Sequence, residues 1–172
     1  MKKLSLFLSV FIFIQCIPSI AQQSVNKDSM LVAAMEIISE TNYCALVTID
    51  STGNPQIRTM NPFPMKDGID IWFATSRYSR KVKELKNNPN VCVYWADHVH
   101  AKGYVNITGT ATVIDDKELL NKMKREYWEG IPNWQELFVL IRITPATLEV
   151  VNYKHQLNNA PDTFRASVVR MD

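Results

Sequence analysis

Apolar and polar residues alternate with a period of two along most of this chain, and only three stretches show the wider spacing of a helix. Ser29–Glu40 has Leu31, Ala34, Met35 and Ile38 on one helical face. Arg80–Leu85 opens after Ser79 as a second helical stretch. Asp115-Asp116 caps a third, which runs through Leu119, Leu120 and Met123 towards Trp128 before Gly130–Trp134 breaks it. Strands are predicted at Cys44–Asp50, Gln56–Pro64, Ile69–Thr75, Val91–Ala96, Tyr104–Ile114 and Val139–Tyr153. Ser51-Thr52-Gly53-Asn54 joins the first two as a hairpin, and Lys66-Asp67-Gly68 marks the next turn. Asn87-Asn88-Pro89 stops a helix ahead of a strand. Many antiparallel strands with few helices predict a mainly β fold, a barrel whose closure removes exposed edges.

The first residues follow a different pattern. Lys2-Lys3 is followed by an almost wholly apolar Leu4–Ile20, and Ser19-Ile20-Ala21 places small residues where a signal peptidase reads. Residues 1–21 are therefore expected to be a signal peptide cut before Gln22, and the product to be exported, periplasmic or secreted. A spanning helix is the competing reading, but Gln15 and Pro18 interrupt a run that barely reaches the ~20 apolar residues a bilayer needs. Gln15 also disfavours a lipid anchor on Cys16. No twin arginine is present, so any cofactor is expected to be acquired after export.

Removing that leader changes the charge. The precursor carries +2, and loss of Lys2 and Lys3 with no acids leaves 2 − 2 = 0. A neutral chain argues against a nucleic-acid partner, whose affinity comes from neutralising many phosphates. Local basic clusters on such a chain point instead to a small anion.

Two clusters qualify. Arg58 lies in a predicted strand, and Ser79-Arg80-Lys81 follows the strand Ile69–Thr75 at the start of a helix. Cationic groups, a hydroxyl and free helix N-terminal N–H groups together suit a phosphomonoester. Taken alone, Arg80, Lys81 and Lys83 would be an ordinary solvated face. Other chemistry is sparse: there is no nucleophile elbow, metal-ligand spacing or paired-carboxylate motif, so no catalytic residue is assigned. His98 and His100 read as an exposed turn more readily than as ligands. Cys44 and Cys92 read as buried thiols, or as a disulfide if their strands are neighbours with suitable separation. Tyr127, Trp128 and Trp134 read as packing, a dimer surface or a cover for a cofactor.

The order helix, strand, Gly-Asn-Pro hairpin, Arg58-Thr59-Met60-Asn61, Ala74-Thr75 and Ser79-Arg80-Lys81, with the Gly103–Gly109 strand, resembles the FMN-binding split barrel of the pyridoxamine 5′-phosphate oxidase superfamily. The general stress protein branch is the nearest match, over Met30–Tyr153. The resemblance implies a split β-barrel, closed, antiparallel and Greek-key-like, at residues 22–153. It also implies a homodimer with FMN in two clefts between the subunits. The last stretch, 154–172, is by its own composition polar and irregular apart from Ala166–Val169, and is expected to be mobile or to wrap a partner subunit. By the same resemblance Arg58, Ser79, Arg80 and Lys81 bind the FMN phosphate. Thr59, Met60 and Asn61 present backbone to the ribityl chain and ring, and Ala74 and Thr75 line the cofactor. Tyr104 stands where the oxidases often carry a Gln that touches the ring from the partner subunit.

Departures limit the activity. Val150-Val151 stand where the oxidases have Trp, and the Arg-x-His pattern is missing around Asn152-Tyr153-Lys154-His155. The expectation is an FMN-dependent oxidoreductase acting on an unidentified small molecule, and not a vitamin B6 oxidase. The alternatives are a flavin-binding stress protein without turnover, or a haem or tetrapyrrole binder using His98, His100 or His155 as axial ligand.

Overall fold

A computed structural model describes residues 26–65 and 68–171. The predicted leader and most of the Lys66-Asp67-Gly68 turn lie outside the described residues. The first helix, α1 (Lys27–Glu40), is capped by Asn26, whose side chain accepts from the Asp28 N–H. It buries Met30, Ala33, Ala34, Ile37 and Ile38, a face turned slightly from the predicted one, and packs on the sheet.

Among the described residues seven strands follow: β1 (Cys44–Ile49), β2 (Pro55–Met60), β3 (Ile71–Ser76), β4 (Asn90–Ala96), β5 (Gly103–Ile114), β6 (Phe138–Asn152) and β7 (Ser167–Arg170). Their hydrogen-bonded order is β2-β1-β4-β5-β6-β3, with β7 added to β6, and every pairing is antiparallel. Alternation directs Cys44, Leu46 and Thr48 of β1 inward, against Val91, Val93 and Trp95 of β4. The long strands β5 and β6 bend together at a register shift beside Gly109. A Cβ on Gly109 would stand 2.2 Å from the Thr144 carbonyl oxygen, so only glycine allows that approach. This curl makes the fold a split barrel and brings its two edge strands, β2 and β3, to a common seam, where the Phe63 N–H donates to the Trp72 carbonyl at 2.8 Å.

Two differences from the expected elements have physical causes. The second strand stops at Met60 because Asn61-Pro62-Phe63-Pro64 supplies two residues without an N–H for a ladder. The predicted long third helix divides into α3 (Lys117–Lys122) and a 3₁₀ turn (Glu126–Gly130), with Arg125 extended between them. That break lets Trp128 drop into a second apolar cluster with Leu120, Trp134 and Leu140; Trp134 begins the short α4 (Trp134–Leu137). Trp128 and Trp134, 5.4 Å apart, are thus packing residues, whereas Tyr127 is exposed. In the region read as a tail, Ser167–Arg170 pairs with β6 from Thr147 to Val150.

Cys44 and Cys92 are free thiols. Their strands are neighbours, but Cys92 sits opposite Val47, three residues from Cys44. An odd offset sends the side chains to opposite faces of the sheet, which excludes a bridge between them.

Candidate functional site

The remaining helix, α2 (Arg80–Asn87), begins directly after β3 and packs on β1 and β5. Its inward face is Val82, Glu84 and Leu85. A carboxylate on that face needs partners, and they come from two strands. Arg58 of β2 donates to Glu84 Oε2 at 2.8 Å and to Thr48 Oγ1 at 2.6 Å, while Thr48 donates to the same Oε2 at 2.5 Å. The Glu84 side chain is 4 % exposed and that of Arg58 16 %. Arg80, largely exposed, holds its Nε 2.9 Å from Glu84 Oε1 and donates to Gln56 Oε1 at 2.9 Å. Glu84 therefore neutralises one charge beneath the cluster and fixes the Arg58 fork in place.

Lys81 is held differently. Its Nζ donates to Thr75 Oγ1 at 2.8 Å, and the Thr75 hydroxyl lies 3.4 Å from Ser79 Oγ. No carboxylate pairs with this ammonium among the described residues. Burial, and then the nearby Arg58 charge, push the Lys81 pKa down, with Glu84 partly opposing them. Ser79 is the N-cap of α2, but its side chain makes no capping bond, so the first-turn N–H groups stand beside Thr75 and Lys81 without that partner.

Six of the predicted residues converge. Thr59, Met60 and Asn61 from the end of β2, Ala74 and Thr75 from β3, and Lys81 from α2 line one cleft of about 230 Å³ at the seam. It borders, at Thr59, a second recess of about 260 Å³ that includes Tyr43, Tyr94 and His98. Asn61 also borders an uncharged groove of about 450 Å³ beside α1, lined by Met35, Ile38, Tyr43 and Phe63 among others. Ser79 stands at the edge of the Lys81–Thr75 pair, Arg80 points to Gln56, and Arg58 lies beneath, committed to Glu84 and Thr48.

Tyr104 is elsewhere. It packs against Tyr94, ring centres 5.6 Å apart, and donates to Glu149 Oε1 at 2.9 Å; burial and then Glu149 push its phenol up to about 12. The three histidines do not meet at one place. His155 Nε2 is 2.6 Å from Glu36, His100 contacts Asp97, and His98 borders the recess beside Tyr94.

Two site residues were missed by sequence reasoning. Glu84 stands four residues after Arg80 and three after Lys81, a spacing that places it on the same helical face as the assigned cations. Arg125 completes the cleft wall with Tyr127, and no local pattern announces it, because it falls in the break between two helical segments.

A curled antiparallel sheet with a cation-lined cleft where its edge strands meet defines a split-barrel protein. The chain belongs to the pyridoxamine 5′-phosphate oxidase family, whose model matches residues 30–152. It is 27 % identical over 135 residues to general stress protein 26 of Bacillus subtilis (strain 168), covering 74 % of this chain and 91 % of that protein. It is 31 % identical over 109 residues to the pyridoxine/pyridoxamine 5′-phosphate oxidase of Alkalilimnicola ehrlichii, covering 60 % of this chain but only 49 % of the oxidase. The fold is shared with the crystal structure of general stress protein 26 from Bacillus anthracis str. Sterne (TM-score 0.62, 24 % identity, 83 % of this chain and 98 % of that one). It is also shared with an oxidase-related, FMN binding protein from Nostoc punctiforme (TM-score 0.54, 14 % identity, 84 % and 94 %).

Proposed function

We propose that this protein binds FMN at the seam cleft and acts as a flavin-dependent oxidoreductase on a small, unidentified molecule. One observation carries the reading: Lys81, a half-buried ammonium whose partner is a hydroxyl rather than a carboxylate, opens onto the same cleft as the strand ends Thr59–Asn61 and Ala74–Thr75. A cation kept in this way favours an incoming anion, because the ligand restores what burial and the Arg58 charge take from it. Thr75, Ser79 and the α2 N-terminus supply further donors for a phosphate. When bound, the flavin would supply two-electron transfer, and the protein its orientation and electrostatics.

The family and the FMN-binding relative support this cofactor. A cleft of about 230 Å³ within one chain is small for a whole flavin mononucleotide, which favours a homodimer in which a second copy completes it. The uncharged groove at Asn61 is the proposed approach for substrate. A vitamin B6 phosphate is not the favoured substrate, since Val150 and Val151 are buried strand residues where the oxidases carry Trp. Export through the predicted leader places cofactor loading outside the cytoplasm.

The absorbance spectrum of the purified, exported protein, followed by anaerobic mixing with NADH or NADPH, tests both levels of the proposal. A flavin spectrum that bleaches with one donor is the expected result. A Soret band instead of a flavin spectrum would replace this reading with the tetrapyrrole one. A flavin spectrum that neither nicotinamide bleaches would favour a binding role, or an electron donor of another kind.

A further inference from the structure

Among the cations near the seam, Arg58 and Arg80 are already paired with Glu84. Lys81 and Arg125 both line the cleft, and neither has a carboxylate partner among the described residues. Lys81 accounts for a phosphate. Arg125 is left without a role in that scheme.

Its surroundings hold it firmly. Arg125 donates from one terminal nitrogen to the carbonyl oxygens of Asn61 (3.0 Å) and Pro62 (2.9 Å). With the Asn61 amide turned so that its oxygen faces the guanidinium, the other terminal nitrogen donates to it at 3.0 Å. The guanidinium lies over the Phe63 ring, 4.4 Å from its centre. Those bonds use three of the five N–H donors an arginine has, and all its acceptors are uncharged. A rigid guanidinium with donors to spare and its full charge uncompensated thus borders the same cleft as Lys81.

We propose that Arg125 is a second ligand-binding cation of this cleft, which interacts with the ring of the bound cofactor and stabilises the negative charge the ring acquires on reduction. The inference rests on the FMN reading above. Uptake of two electrons and one proton makes the flavin ring a mono-anion, and a fixed cation close to it favours that state over the oxidised, neutral ring. Arg125 therefore raises the reduction potential while contributing little to the affinity for oxidised FMN. A purely structural Arg125, serving only to clamp Asn61 and Pro62, would affect both redox states alike and leave the potential unchanged.

The test uses the FMN-loaded wild-type protein and its Arg125→Gln and Arg125→Lys variants. FMN affinity is read from flavin fluorescence, and the two-electron midpoint potential from dithionite reduction against a reference dye. Arg125→Gln is expected to lower the affinity for reduced relative to oxidised flavin at least tenfold, a potential about 30 mV more negative. Arg125→Lys, which keeps the charge, should recover at least half of that shift. An unchanged potential in the FMN-loaded Arg125→Gln protein overturns the inference, whatever happens to its stability. A shift that Arg125→Lys does not reduce also overturns it, because charge is then not the cause. A wild-type protein that takes up no flavin defeats the FMN reading itself, and this inference with it.

Discussion

Arg58 and Glu84 meet at 2.8 Å between β2 and α2, in a pocket where the carboxylate is almost wholly buried. The pair joins an edge strand of the sheet to the helix that carries Lys81, and Thr48 of the neighbouring strand hydrogen-bonds both partners. A buried ion pair contributes little over an apolar substitute, but breaking it leaves a charge without a partner. Arg58→Ala and Glu84→Ala are each expected to lose about 3–5 kcal/mol of stability, read from denaturant unfolding. Arg58 thus shapes the cleft from beneath, and losses of FMN binding in Arg58→Ala should track loss of folded protein. Full stability in both variants would show that the pair does not hold β2 to α2.

Lys81 should behave differently. Lys81→Ala removes a charge-assisted contact worth about 1.5–3 kcal/mol to a phosphate, so FMN affinity should fall by more than tenfold while riboflavin affinity stays nearly constant. The Lys81 pKa lies below its ordinary 10.5. In wild type, FMN affinity should therefore decline as pH rises through that lowered value, earlier than an exposed lysine would allow. The Lys81→Ala protein should lack this alkaline decline. Parallel FMN and riboflavin titrations across pH check both points.

The difference between these two cations marks what could be read from the sequence. Alternation in Cys44–Ile49 and in Val91–Ala96 was sufficient to place strands, because one buried face leaves a period of two, but Cys92, read as buried, lies on the half-exposed face. The motif residues Thr59–Asn61, Ala74, Thr75 and Lys81 do share a cleft. Arg58 and Arg80 look equivalent to Lys81 in one dimension, yet both are paired with Glu84. A Glu on a charged helix reads as solvated until a strand distant in sequence buries it. Arg125 was hidden for a related reason: its place follows from the packing of Trp128, which interrupts the expected helix. The stop of β2 at Met60, four residues before the expected end, follows from Pro62 and Pro64, which forbid a regular ladder that alternation alone extends to Pro64.

Glu36 ties the region after β6 to α1. Its carboxylate accepts from Lys154 Nζ at 2.8 Å and lies 2.6 Å from His155 Nε2, and these contacts, Lys154 first, lower its pKa from 4.5 to about 2. A depressed carboxylate contributes stability that is present above its unfolded value and is lost as pH falls through the folded one. Acid destabilisation of the wild type should therefore include a component between about pH 4.5 and 2. Glu36→Gln should remove that component and lower stability at neutral pH, measured as Tm against pH. An identical acid profile in the variant would contradict the role given to this contact.

Phosphate-dependent FMN binding at the seam cleft is decided by a calorimetric titration of the purified protein, freed of any bound flavin, with FMN and then with riboflavin. Saturation is expected at one FMN per chain, with riboflavin bound at least tenfold more weakly because it lacks the phosphate that Lys81, Thr75 and Ser79 are proposed to hold. No FMN binding, or equal affinity for the two, would contradict this expectation.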